Sequence, residues 1–297
     1  MESVERNKRF IQRLKVQGSV YDELPSASAL DKVVSTVMAN STLIKLHLLG
    51  NPIGSDGAQA LAKALKANST LTGLGLEDNS IGYTGTQTLS NALKINSTLT
   101  YLGVWRNEIG DNGAQALAEA LKTNSTLTTL TLKDNSIGST EAQALANALK
   151  ANSTLTSLCL WGNKVGNDGA QALSEALKTN STLARMDLQG NSIRDNGTQA
   201  LANALMTNST LNVLSLCHNG IGVNGALALA EALKINSSLT LLLLGRNPIR
   251  ENGAQALSEA LKTNSTLTTL DLRWSSIRDN GAKILAEALK PTRPWPL

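Results

Sequence analysis

The residues best able to do chemistry are few. The chain has two histidines, His47 and His218, and two cysteines, Cys159 and Cys217. A metal site or a nucleophile–base pair would have to be assembled from these with nearby carboxylates. Their spacing is against it. A 28-residue block recurs in register across residues 40–290, and His47 and His218 lie six blocks apart. If each block contributes one strand, that is about 30 Å, too far for a shared metal or proton relay. Cys159 and Cys217 are two blocks apart, or about 10 Å, beyond the roughly 7 Å Cα limit of a disulfide. His218 adjoins Cys217, but adjacent strand residues point in opposite directions and no third ligand is evident. Gly-rich turns such as Ile109 to Gly113 lack a following Gly-Lys-Ser/Thr and do not form phosphate loops. The expectation is a non-enzyme with no cofactor and no metal.

The block positions these residues. It opens Asn-Ser-Thr-Leu (Asn-Ser-Ser-Leu at Asn236) at Asn40, Asn68, Asn96, Asn124, Asn152, Asn180, Asn208, Asn236 and Asn264. A fixed period of this length marks a stacked solenoid. Within Asn40 to Ala67, Leu43, Leu46, Leu48, Asn51 and Ile53 give L-x-x-L-x-L-x-x-N-x-I. Leu46 and Leu48 alternate with Lys45, His47 and Leu49, which predicts a strand with its leucines facing inward. Ala58, Leu61 and Leu65 then recur at helical spacing. Ser55 or Asp56 is expected to cap that helix, with Lys66 in its last turn. The Asn51 position, Asn in eight blocks and Ser275 in the ninth, is expected to point inward and bond backbone at the turn and in the neighbouring coil. The Asn opening each block is expected to end the helix in the left-handed conformation, and not to serve as a glycosylation acceptor.

This spacing resembles the leucine-rich repeat family, in particular its ribonuclease-inhibitor-like subclass of 28-residue coils. G-A-Q-A-L-A-x-A-L-K followed by N-S-T-L-T-x-L-x-L, complete at Gly113 to Leu132, is most similar to repeats of NOD-like receptors. The resemblance implies an α/β, right-handed horseshoe with parallel strands on the concave face and helices on the convex face. Strand and helix spacings, about 4.8 Å against 8–10 Å, imply the same curvature. The cysteines of a ribonuclease inhibitor and the acidic tail of the Ran activator are missing, as is a nucleotide-binding domain. Neither ribonuclease inhibition nor GTPase activation is therefore carried over.

Three regions are expected: a helical cap over 1–39, nine repeats over 40–290, and a Pro/Trp tail over 291–297. Val4, Phe10, Ile11 and Leu14 suggest an amphipathic helix in the cap. Ser26 to Ala39 resembles the helix half of a further repeat, with Val33 and Val37 inward and Ser28 and Asp31 as a capping box. Trp295 could fold over the open end, or the tail could be an extended Pro-rich ligand or the remnant of a longer chain.

Composition limits the partners. Net charge is +4. Residues 1–15 carry five basic side chains (Arg6, Lys8, Arg9, Arg13, Lys15) against Glu2 and Glu5, leaving +1 for the other 282 residues. That distribution argues against nucleic acid despite a pI near 9.1. No apolar run approaches the roughly 18 residues of a membrane span. Met1 to Lys15 has no apolar core of a signal peptide, so a cytoplasmic location is expected. The basic N-terminal helix reads as a solvated face in preference to a membrane anchor.

Individuality is confined to four positions per block, those of Lys45, His47, Leu49 and Gly50. These 36 positions hold both histidines, both cysteines, Tyr101 and three of the four tryptophans, Trp105, Trp161 and Trp274. Drift on an unconstrained face explains variety but not exposed indoles, which favour binding. Trp105, Lys133 and Trp161 should form a row with Lys133 between two rings, beside a trough floored by Gly75, Gly103, Thr131 and Cys159 and bordered by Tyr101. A second patch gathers Val213, Leu241 and Leu243, flanked by Arg185, Asp187, His218, Arg246 and Trp274. With Arg106, these are the candidate contact residues. Mixed charge on the face fits a protein partner. The function expected is a protein-binding scaffold. The alternatives are a regulator of a small GTPase or other enzyme, acting on a GTPase through Arg106, Arg246 or Arg273, and a structural solenoid or one that self-associates through its open ends.

Overall fold

In the computed structural model, residues 13–15, 34 and 42–288 are described. Ten short strands form one parallel sheet in chain order: β1 (Arg13–Lys15), β2 (Lys45–His47), β3 (Gly73–Gly75), β4 (Tyr101–Gly103), β5 (Thr129–Thr131), β6 (Ser157–Cys159), β7 (Arg185–Asp187), β8 (Val213–Ser215), β9 (Leu241–Leu243) and β10 (Thr269–Asp271). A helix follows each strand from β2 onward: α1 (Gly54–Ala67), α2 (Gly82–Leu93), α3 (Gly110–Leu121), α4 (Ser139–Ala151), α5 (Gly166–Leu177), α6 (Arg194–Leu205), α7 (Val223–Leu233), α8 (Arg250–Leu261) and α9 (Arg278–Ala288). The result is an open α/β solenoid, with the sheet lining the concave face and the helices outside. From β2 to β10, register advances by 28 residues per strand, as in Leu46↔Leu74 and Leu74↔Leu102.

The core follows from the alternation. Leu43, Leu46 and Leu48 on the strand side meet Ala58, Leu61 and Leu65 of α1, all at most 3% exposed. The same positions are buried in every coil up to the eighth, apart from Leu261, which is half-buried. In the last coil Leu267, Leu270 and Leu272 are only half-buried, because no further described coil lies against them.

Two asparagine ladders tie the coils together. In the inner ladder, Asn107 Nδ2 donates to the Leu76 carbonyl one coil back at 2.7 Å and to the Trp105 carbonyl at 3.1 Å. Its Oδ1 accepts the N–H of Asn79 at 3.0 Å. Its own carbonyl accepts the N–H of Gly82 at 2.8 Å, the first residue of α2. The inward, backbone-bonding role expected for this position is therefore observed. The ladder is incomplete at its start: Asn79 Oδ1 is buried without a partner. There Pro52 follows Asn51, and the Ile53 N–H turns back to the Asn51 carbonyl.

Three expectations change. The block-opening asparagines are extended, not left-handed: Asn68 has φ −82°, ψ 128°. Their side chains do the work instead. Asn96 Nδ2 reaches the Leu65 and Asn68 carbonyls, and Oδ1 accepts the Thr98 and Leu99 N–H groups. Ser55 and Asp56 do not cap α1, which starts through left-handed Gly54 (φ 63°) with its N–H bonded to the Asn79 carbonyl of the next coil. Leu14, expected on a helix, lies in β1, where it pairs with Leu46. The 32-residue offset of that pair departs from the 28-residue period, so β1 matches no block. Val34 is helical and buried. Val4, Phe10, Ile11, Ser28, Asp31, Val33, Val37 and the 291–297 tail lie outside the described residues.

Candidate functional site

The concave face carries the side chains that alternate with the buried leucines. Trp105, Lys133 and Trp161 lie at the exits of three successive strands. Lys133 Nζ sits 3.5 Å from the Trp161 ring centroid and 5.4 Å from that of Trp105. The ammonium thus occupies the space between the indoles, close over one of them. The Arg106 guanidinium adds a cation 5.5 Å from the Trp105 ring. Asp134 lies 3.7 Å from Arg106 and 3.8 Å from Lys133, so one carboxylate serves two cations. Such contacts are worth about 0.5–2 kcal/mol each at partly exposed sites. The inner ladder fixes this row, because Asn107, Asn135 and Asn163 donate to the carbonyls of Trp105, Lys133 and Trp161.

The neighbouring trough is less open than the glycines suggest. Gly75 and Gly103 are buried beside Glu77, itself only 6% exposed. A Cβ on Gly103 would sit 2.3 Å from Glu77 Oε1 and 2.6 Å from the Tyr101 hydroxyl. Tyr101 donates to Glu77 Oε1 at 3.2 Å, with the His47 ring 6.0 Å away. Burial, reinforced by the Glu77 charge, pushes the Tyr101 hydroxyl up to about 12. Glu77 appears in the sequence only as one of several charges. Its reach across two glycines is the missed feature, and the small side chains at 75 and 103 were its available signal.

Cys159 and Asp187 close the other side. The thiol lies 3.8 Å from Asp187 Oδ2, and burial, then that carboxylate, pushes it up to about 12. Such a thiol is a poor nucleophile. Both cysteines are free. Among the described residues no group of three or more His, Cys, Asp or Glu could hold a metal ion.

The second patch is a looser assembly. Val213, Leu241 and Leu243 are half-buried on β8 and β9, with Val213 opposite Leu241. Arg185, His218 and Arg246 are exposed around them, and Trp274 is 80% exposed. The two groups share the face but form no joint cluster.

Backbone strain separates functional choice from drift. The Gly50 position is left-handed in all nine coils. Glycine fills it at 50, 162 and 190, whereas Asp78, Arg106, Asp134, His218, Arg246 and Trp274 take φ between 52° and 60°. A side chain there costs roughly 1–2 kcal/mol relative to unstrained backbone. Drift would tend to leave the cheaper glycine, so six costly side chains projecting at the rim need another explanation.

A family model described as "Leucine Rich repeat" matches residues 39–62, 96–118, 123–146, 151–174, 179–202, 207–230 and 263–286, more than half of the chain. A chain of the Rad7–Elc1 complex of yeast is similar at 16% identity and a TM-score of 0.56, over 87% of this chain and 70% of that one. An internalin of Listeria monocytogenes is similar at 18% identity and a TM-score of 0.51, over 95% and 87%. At these identities the likeness is one of fold. No curated protein matches significantly. No helix among the described residues is long and apolar enough to cross a membrane.

Proposed function

Because the chain belongs to the leucine-rich repeat family, whose solenoids generally act as non-enzymatic interaction scaffolds, we propose that it binds another protein on its concave sheet, centred on Trp105, Lys133 and Trp161. The observation that carries this reading is the row itself. Two indoles and a cation are held at the strand exits by the asparagine ladder on the concave face. Prepositioned aromatic and cationic side chains lose little entropy when a partner docks and are typical anchors of interfaces. A chain of the same fold is found in the yeast Rad7–Elc1 protein complex. A cytoplasmic location agrees with two free thiols in partly buried positions. The 28-residue strand–helix period is most akin to the ribonuclease-inhibitor-like subclass, and the block from Gly113 to Leu132 to repeats of NOD-like receptors.

The test is comparative capture. Immobilised wild-type protein and a Trp105→Ala/Trp161→Ala variant are exposed to the same extract of the source cells, and bound proteins are quantified. A specific partner lost from the double variant supports the reading. An identical set of bound proteins from both refutes it.

A further inference from the structure

The seven arginines of residues 42–288 are not spread along the coil: only Arg106 precedes residue 185. The other six, from Arg185 to Arg278, lie on strands or strand-to-helix turns, none inside a helix beyond its first residue. Lysines, by contrast, supply the ion pairs of the helical surface, such as Lys178–Glu175 and Lys262–Glu259. Arginine is the side chain suited to paired hydrogen bonds with a carboxylate.

Conformation marks these arginines as chosen. The residue that starts each helix is left-handed Gly54, Gly82, Gly110 and Gly166 in four coils, but left-handed Arg194, Arg250 and Arg278 in three others (φ 51°, 60° and 54°). Arg246 is left-handed too, at a position where Gly50, Gly162 and Gly190 serve elsewhere. Four arginines thus stand at one edge of the solenoid where glycine would be less strained.

Their charges are also free. Arg185, Arg194, Arg246, Arg250 and Arg278 are exposed, and none makes an ion pair among the described residues. Four of the five nearby carboxylates are occupied. Asp195 accepts the N–H groups of Gly222 and Gly225, Asp187 that of Gln189, Asp271 chelates Arg273, and Glu251 accepts from Asn280. Formal charge on the strands and turns of this half is almost balanced, which disfavours a polyphosphate. Outward-pointing guanidinium groups beside half-buried Leu241 and Leu243 instead suit discrete carboxylates separated by apolar residues.

We infer that the surface around Arg185, Arg194, Arg246 and Arg250 binds an acidic, partly apolar protein segment. The inference rests on the concave-face reading and names the chemistry of its partner. Arg185 on β7 is level with Leu241 on β9, two strands and about 10 Å away, and Arg246 lies five residues, about 17 Å, further along the strand direction, so the two arginines are about 19 Å apart. An extended chain crosses that distance in about six residues. The segment therefore carries carboxylates about six residues apart, with apolar side chains between them on Leu241 and Leu243.

The test uses a fluorescein-labelled peptide Glu-Glu-Leu-Ser-Leu-Ser-Glu-Glu, a matched peptide with Lys for Glu, and a single-stranded oligodeoxynucleotide of the same charge as the first. Anisotropy is measured with the full chain and with Arg194→Gly/Arg246→Gly/Arg250→Gly. These changes restore the residue other coils use, so the thermal midpoint should hold or rise. The acidic peptide is expected to bind, to weaken with salt, and to lose about tenfold or more in affinity in the triple variant. The Lys peptide should not bind. Tyr83→Ala, on the helical side and 60% exposed, should leave the peptide affinity nearly unchanged. Failure of the acidic peptide to bind, equal affinity of the folded triple variant, or tighter binding of the oligonucleotide would each overturn the inference while leaving the concave-face reading intact.

Discussion

Replacing Asn135 by alanine should unfasten the candidate site without touching any side chain in it. Asn135 is 1% exposed, and its side chain makes four hydrogen bonds. Its Oδ1 accepts from the N–H groups of Asn107 at 2.9 Å and Ile109 at 3.4 Å. Its Nδ2 donates to the carbonyls of Val104 at 2.9 Å and Lys133 at 3.1 Å. Alanine leaves these backbone groups without that partner. An unsatisfied buried group costs about 1–3 kcal/mol. The two shortest bonds dominate, and water entering the vacated space offsets part of the loss, so the net cost should be about 3–5 kcal/mol. Ser275, which occupies the same position in the ninth coil, gives an internal control. Its Oγ makes only long bonds, 3.3 Å to the Leu244 carbonyl and 3.5 Å to that of Arg273, and Ser275→Ala should cost under about 1 kcal/mol. Urea unfolding gives the global value. Amide hydrogen exchange gives the local one, because neighbouring coils in a solenoid can open separately. Loss of protection should centre on Asn107 and Ile109. A cost below about 1 kcal/mol for Asn135→Ala, with those amides still protected, would refute the ladder as the fastening of the site.

Two further outcomes follow from the buried titratable groups. The Tyr101 hydroxyl is raised from 10.0 to about 12 by burial and then Glu77, so the folded state holds its proton more tightly than the unfolded state does. Its stabilising contribution is complete below pH 10 and disappears as pH rises through about 12; Tyr101→Phe should flatten the stability profile across that window, and an unchanged slope would contradict the Glu77 contact. Cys159, raised from 9.0 to about 12, should alkylate with iodoacetamide at mildly alkaline pH roughly a hundredfold or more slower than the same cysteine in the unfolded chain; Asp187→Asn should narrow the gap, and mass spectrometry finding equal rates would count against the buried thiol.

Much of the architecture was legible because it repeats. The leucine columns, the strand–helix alternation and the inward asparagine follow from the 28-residue period, since each coil sees nearly the same neighbours. What escaped had no repeat to reveal it. β1 pairs at a different offset and has no block. The left-handed turn residues needed the backbone itself, because Arg194 and Gly166 look unrelated in sequence yet share one conformation. For the block-opening asparagine the sequence suggests only a local role, as helix terminator, whereas its amide bonds carbonyls in the preceding coil. In the candidate site, the Trp105–Lys133–Trp161 row was readable from column position alone. The Glu77–Tyr101 bond was not, because it depends on the empty space over Gly75 and Gly103 and on a reach between strands.

Hydroxyl-radical footprinting of the protein with a captured partner tests the central claim most directly. Trp161, 36% exposed on the concave face, and Tyr83, 60% exposed on the helical side, serve as opposed reporters within one chain. Partner binding on the concave sheet predicts that oxidation of Trp161 and Trp105 falls sharply while Tyr83 is oxidised as before. Protection of Tyr83 with Trp161 unchanged would place the partner on the helices and contradict the account.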